Sequence, residues 1–180
     1  MRNEWTIPVD AQQPVRAADA VAPGEMFTPH WHRCFGCRPV AEGGLGMTFQ
    51  AGTGVDALGR VPVDPLYEGG PGVIHGGVLS TIFDEVMGTA AILMGGVLVT
   101  AHLQIDYARP VLLDTELVVP GRVDAVAGRK VYASAEVYDA ADHDPATGEG
   151  GQVLASARAL FIVIDPQQHF KDSIERSPGR

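Results

Sequence analysis

The spacing of apolar positions changes period along the chain. From Gly76 onward, apolar side chains recur at Val78, Leu79, Ile82, Phe83, Val86, Met87, Ala90, Ala91 and Met94. Steps of three and four residues put them on two adjoining stripes of a helix. The remaining face holds Thr81, Asp84, Glu85 and Gly88 and is narrow, and a helix that is apolar around most of its circumference is buried. Gly95 and Gly96 end it. The period then becomes two. Val99, Ala101, Leu103, Ile105 and Tyr107 alternate with Thr100, His102, Gln104 and Asp106, which places Thr100 on the polar side of a strand. Residues 117–126, 131–138 and 153–164 read as further strands. Pro120 predicts an edge or a bulge in the first, and the nearly all-apolar last one is expected to be central. Residues 45–50 and 59–63 add short strands before the helix. The expected architecture is α+β, with an antiparallel sheet curled around one long central helix.

Flanking segments lack this regularity. Residues 1–30 carry Pro8, Pro14, Pro23 and Pro29 and read as an extended arm that wraps the domain or a partner subunit. Residues 31–165 form the expected domain, and 166–180 are read as a loosely ordered tail.

The formal net charge of −9 argues against nucleic-acid binding and against an anionic membrane surface. The apolar run over residues 86–100 is interrupted by glycines, so no membrane span is expected. With no apolar leader stretch near the N-terminus and two cysteines in all, a reducing cytoplasm is the expected location.

Candidate chemistry gathers at the start of the helix. Gly76 and Gly77 follow His75, and glycines there leave backbone N–H groups open at the positive end of the helix dipole. Such groups suit a carbonyl oxygen that gains negative charge; close packing of the helix end is the competing explanation. Asp84, seven residues beyond Gly77, lies on the same face as a candidate general base or nucleophile. Otherwise it is a solvated carboxylate or pairs with Arg109. Glu85 is turned roughly 100° away and gets no chemical role. Seven helical residues rise about 10 Å, so one carbonyl cannot touch both Gly77 N–H and Asp84 of one chain. If both act on it, they come from different subunits of a two-fold dimer. His75, held neutral by the helix end, shapes the glycine loop, donates to substrate or is simply structural. Thr100 is placed to orient Asp84 or a water. Cys34-Phe35-Gly36-Cys37, with His30 and His32 nearby, reads first as a turn, then as a metal site, and last as a redox motif.

The run Tyr67-Glu68-Gly69-Gly70-Pro71-Gly72-Val73-Ile74-His75-Gly76-Gly77, followed by Asp84, resembles the hotdog-fold thioesterases of the 4-hydroxybenzoyl-CoA thioesterase/PaaI superfamily. Cys34 to Cys37 leading to Gly44-Leu45-Gly46-Met47, Thr100, and Asp106-Tyr107-Ala108-Arg109-Pro110 are similar to its acyl-CoA thioesterase branch. The resemblance covers residues 34–164. It implies a homodimer or dimer of dimers that hydrolyses acyl-CoA with no metal and no cofactor beyond the CoA of the substrate. In it Gly77, with Gly76, polarises the thioester carbonyl and Asp84 of the neighbouring subunit acts as base or nucleophile. Glu68, Gly69, Gly76 and Arg109 are expected to contact substrate or CoA, with Arg122, Arg129 and Lys130 as further phosphate partners. Val86, Met87, Leu93 and Met94 are expected to line the acyl pocket. Gly69 stands where many relatives carry Asn or Gln. The competing functions are a non-catalytic acyl-CoA-binding module, which would not need Asp84, and a hotdog dehydratase using His75 with Asp84.

Overall fold

A computed structural model describes residues 6–29, 31, 33–144, 147–148 and 150–171. The elements in order are β1 (Thr48–Ala51), β2 (Asp56–Pro62), β3 (Glu68–Gly70), β4 (Val73–Ile74), α1 (Gly76–Ile92), β5 (Val97–Tyr107), β6 (Glu116–Ala127), β7 (Lys130–Asp139), β8 (Ala155–Ile164) and the short α2 (Pro166–His169). Six strands form one antiparallel sheet in the order β1-β2-β6-β7-β8-β5, and β3 and β4 make a separate pair ahead of α1.

The helix lies in the concave face of the sheet, with Ile82, Phe83, Val86, Met87 and Ala90 fully buried. Close seating depends on two glycines on neighbouring strands. A Cβ at Gly59 or Gly121 would stand 3.2 or 3.1 Å from the Val86 side chain. The absence of a side chain at both positions lets the helix backbone approach the sheet.

Two expectations about the strands need correction. Pro120 is not at an edge, because β6 lies between β2 and β7; of the two alternatives a bulge is the one β6 carries, and it falls further along, between Val123 and Ala125. The missing N–H is accommodated because β6–β7 pairing skips from Val118↔Tyr138 to Gly121↔Ala135. β8 is interior but not central, because only β5 lies beyond it.

Residues of the N-terminal segment lie against this chain's own domain. Gln12 pairs with Val126, and Ala17 N–H donates to Leu93 O at the end of α1. The Arg16 guanidinium donates to the carbonyls of Gly52, Gly54 and Val21. Of the tail, Pro166–His169 is helical, capped by the Asp165 side chain, which accepts from Gln167 and Gln168 N–H. No helix among the described residues is long and apolar enough to cross a membrane.

Candidate active site

The start of α1 is held from two sides. His75 N–H donates to Tyr67 O at 2.7 Å, and the buried Tyr67 hydroxyl donates to Gly44 O at 2.7 Å. Burial, then the charge of Asp64, raises the Tyr67 phenol above its ordinary pKa, so it stays a donor. The Glu68 carboxylate accepts from Gly72 N–H at 2.8 Å and closes the β3–β4 turn. Gly69 serves packing: a Cβ there would stand 2.5 Å from His75 Cα. Neither residue, expected at the substrate, is given a substrate-facing geometry by these contacts.

His75 is the N-cap of α1, and its Nδ1 accepts from Gly77 N–H at 2.9 Å. That bond places the ring proton on Nε2. It also revises the expected amide pair. Gly77 N–H is engaged by the cap, whereas Gly76 N–H makes no hydrogen bond among the described residues. Gly76 O accepts from the Tyr107 hydroxyl and from Ser80 Oγ, each at 3.0 Å, and the two hydroxyls lie 3.1 Å apart. Tyr107 and Ser80 were not singled out as site residues from the sequence.

Asp84 sits two turns along, partly buried, and accepts from Thr100 Oγ1 at 2.6 Å. Thr100 reaches it because of a bulge. The β5–β8 register runs Thr100↔Phe161 and then His102↔Leu160, leaving Ala101 as the extra residue. The bulge inverts the alternation, so Thr100 shares the helix-facing side with Leu103 and Ile105 instead of lying opposite them. Arg109 is exposed and forms no ion pair with Asp84 among the described residues. Arg109 lies at the Tyr107 end of β5, while Lys130 opposes Ile162, which opposes Val99 beside Thr100. Val86, Met87 and Leu93 are at most 1% exposed, so they belong to the core and not to an open acyl pocket.

Glu85, one position on, is turned to a different partner. Cys34 Sγ donates to its Oε1 at 3.2 Å, and Cys34 Sγ, Cys37 Sγ and a Glu85 oxygen lie within 4.8 Å of one another. Burial raises the Cys34 thiol, the Cys37 N–H opposes that rise, and Glu85 adds to it. Burial first, then Cys34 and Glu85, push Cys37 up to about 12. His30 and His32 lie outside the described residues.

β5 is an edge strand of eleven residues, with Val97 and Tyr107 exposed. A long edge of this kind offers unpaired backbone groups to another strand.

Comparison with known proteins agrees with this architecture. Residues 71–146 match the family described as the Thioesterase superfamily. Mouse acyl-coenzyme A thioesterase THEM4 is 37% identical over 101 residues, covering 56% of this chain and 40% of that protein. The chain therefore spans about two fifths of the length of the curated relative it matches. The E. coli PaaI protein from the phenylacetic acid degradation operon superposes with a TM-score of 0.60 at 18% identity, over 71% of this chain and 86% of that one. A hypothetical thioesterase from Streptococcus pneumoniae, solved with coenzyme A, gives a TM-score of 0.54 at 20% identity, over 61% and 78%. The fold is the hotdog fold that the sequence resemblance implies.

Proposed function

We propose, from the thioesterase-superfamily match over residues 71–146 and the geometry around α1, that the protein hydrolyses an acyl-CoA thioester to free acid and CoA at a site completed by a second subunit. The observation that carries this is the Asp84–Thr100 hydrogen bond at 2.6 Å, which fixes a carboxylate on the mostly apolar α1, with no ion pair to it among the described residues.

The reaction follows from the groups at hand. The open Gly76 N–H, at the positive end of α1, donates to the thioester oxygen as it gains charge. Asp84 removes a proton from water, which attacks the carbonyl carbon. The tetrahedral intermediate collapses, the C–S bond breaks, and the proton that Asp84 took from water passes to the departing sulfur, so CoA leaves as its thiol and the carboxylate is regenerated. Attack by Asp84 itself, through a mixed anhydride that water then hydrolyses, uses the same geometry. His75 Nε2–H is available to the thioester oxygen. Arg109 at one end of the site and Lys130 at the other are the cations offered to CoA phosphates.

β5 supplies the reason for a second subunit. The Tyr107 end of β5 meets Gly76, and its Thr100 end meets Asp84. If two β5 edges pair antiparallel about a dyad falling midway along them, the Tyr107 end of one chain lies opposite the Thr100 end of the other. Each helix start then faces the neighbour's carboxylate, bridging the roughly 12 Å of helix rise that separate Gly76 from Asp84 within one chain.

The test is release of free thiol from a panel of aliphatic and aromatic acyl-CoA esters. Turnover of at least one is expected; tight binding of every ester without turnover would favour the binding-module reading. Two variants probe the parts. Gly76→Pro deletes one N–H at the first helical position, where proline is well accommodated, and His75 already has the extended backbone, φ −69° and ψ 131°, that a following proline requires. A fall in kcat of about 10²–10³-fold with unchanged melting temperature is expected. Thr100→Val keeps the shape and the β-branch and loses the hydrogen bond to Asp84. It is expected to lower kcat about tenfold, with little change in KM.

A further inference from the structure

We infer that Cys34, Cys37 and Glu85 form a zinc site that pins the segment of residues 34–47 onto the middle of α1. Their three ligand atoms lie within 4.8 Å of one another although Glu85 is 51 residues from Cys34 in the chain. Two thiolates and a carboxylate on a tetrahedral Zn²⁺, at about 2.3 and 2.0–2.2 Å, fall within that separation after small rotations of the side chains. Sulfur donors select zinc over magnesium or calcium.

The backbone is shaped for such a knuckle. Arg38 N–H donates to Cys34 O at 3.0 Å, which folds the four residues into one tight turn, and the Cys37 N–H is directed at the Cys34 sulfur. Amide-to-sulfur contacts of that kind stabilise ligating thiolates. The returning chain pairs with the turn, Leu45 N–H donating to Phe35 O at 2.8 Å and Met47 N–H to Gly36 O at 2.9 Å. Gly36 is the residue that lets Glu85 in, because a Cβ there would stand 2.5 Å from Glu85 Cγ and Cδ. The carboxylate is thus packed onto the turn, partly out of water, with a thiol as its hydrogen-bond partner and no ion pair among the described residues. A thiol–carboxylate contact is a weak return for that desolvation; a shared dication resolves it. Binding releases the two thiol protons and leaves one coordination position for water. This site differs from the hydrolytic one: no step of the proposed reaction passes through the metal, and the two readings stand or fall separately.

The experiment uses the full chain, purified under reducing conditions, with zinc measured by elemental analysis and Co²⁺ titrated into metal-stripped protein. One zinc per chain is expected, and one Co²⁺ per chain giving thiolate-to-cobalt charge-transfer bands and the intense visible bands of a tetrahedral site. Glu85→Gln should keep the charge-transfer bands and weaken Co²⁺ binding at least tenfold, and Cys37→Ser should abolish both bands and stoichiometric zinc. Absence of thiolate bands in reduced wild-type protein overturns the proposal. So does stoichiometric zinc that survives in Cys37→Ser, which would place the ion elsewhere. Should Cys37→Ser fail to fold, chelation of the wild type decides: zinc loss should lower Tm, with recovery on adding Zn²⁺, whereas a zinc-loaded protein whose Tm ignores chelation and metal loss overturns the site.

Discussion

Asp84→Asn is expected to lower kcat for acyl-CoA hydrolysis by about 10²–10⁴-fold, the range of a lost general base. The size follows from how little else the substitution changes. Asparagine is isosteric with aspartate, its Oδ1 still accepts from Thr100 Oγ1, and no ion pair is broken. Asp84 is only partly buried, so no unpaired charge is created or abandoned in the core. Melting temperature, subunit association and CoA affinity are therefore expected to stay near wild type. Residual turnover comes from the Gly76 amide and from positioning, which do not depend on the carboxylate. A variant with wild-type kcat on several acyl-CoA esters would remove Asp84 from the mechanism. The same variant separates the base and nucleophile roles. If Asp84 forms a mixed anhydride, rapid mixing of wild type with substrate gives a burst of thiol ahead of steady turnover, and the variant gives none.

How far these residues were legible in the sequence depended on the range of the interaction. α1 stood out because its apolar spacing persists over four turns and begins at a glycine pair, and the structure places it at Gly76–Ile92. The long strands were legible from period-two alternation and differ mainly at their ends, where fraying and turns blur the pattern. The bulge at Ala101 was not legible. A small residue there interrupts neither pattern, and only pairing with β8 shows that one residue is unmatched. Thr100 was nevertheless tied to Asp84, although the alternation set it on the wrong face. The His75 cap was hidden for another reason. Histidine is not among the favoured N-cap residues, so nothing in its type announced that its ring would take the Gly77 amide. Glu85 was set aside because it points away from Asp84; its partner, Cys34, lies far along the chain, and no local rule joins them. Local periodicity thus found the scaffold, and the pairings that complete the candidate site had to come from tertiary structure.

Mixed dimers give the sharpest expected result, because they test the shared site without requiring either variant to work. Asp84→Asn keeps the helix start and loses the carboxylate; Gly76→Pro keeps the carboxylate and loses the amide. Each homodimer is expected to be nearly inactive. After complete subunit exchange of equal amounts, half of the dimers hold one chain of each kind. In each of these, the amide of the Asp84→Asn chain faces the carboxylate of the Gly76→Pro chain and makes one intact site, while the other site lacks both groups. Activity should therefore return to about a quarter of wild type per subunit, with wild-type KM. Exchange is verified independently by a mass tag on one variant, so that an inactive mixture cannot be blamed on unexchanged homodimers. If both groups act within one chain, exchange creates no intact site and activity stays at the homodimer level. Recovery at a quarter with unaltered KM would show that an amide at one helix start and a carboxylate two turns along its neighbour meet at a single carbonyl.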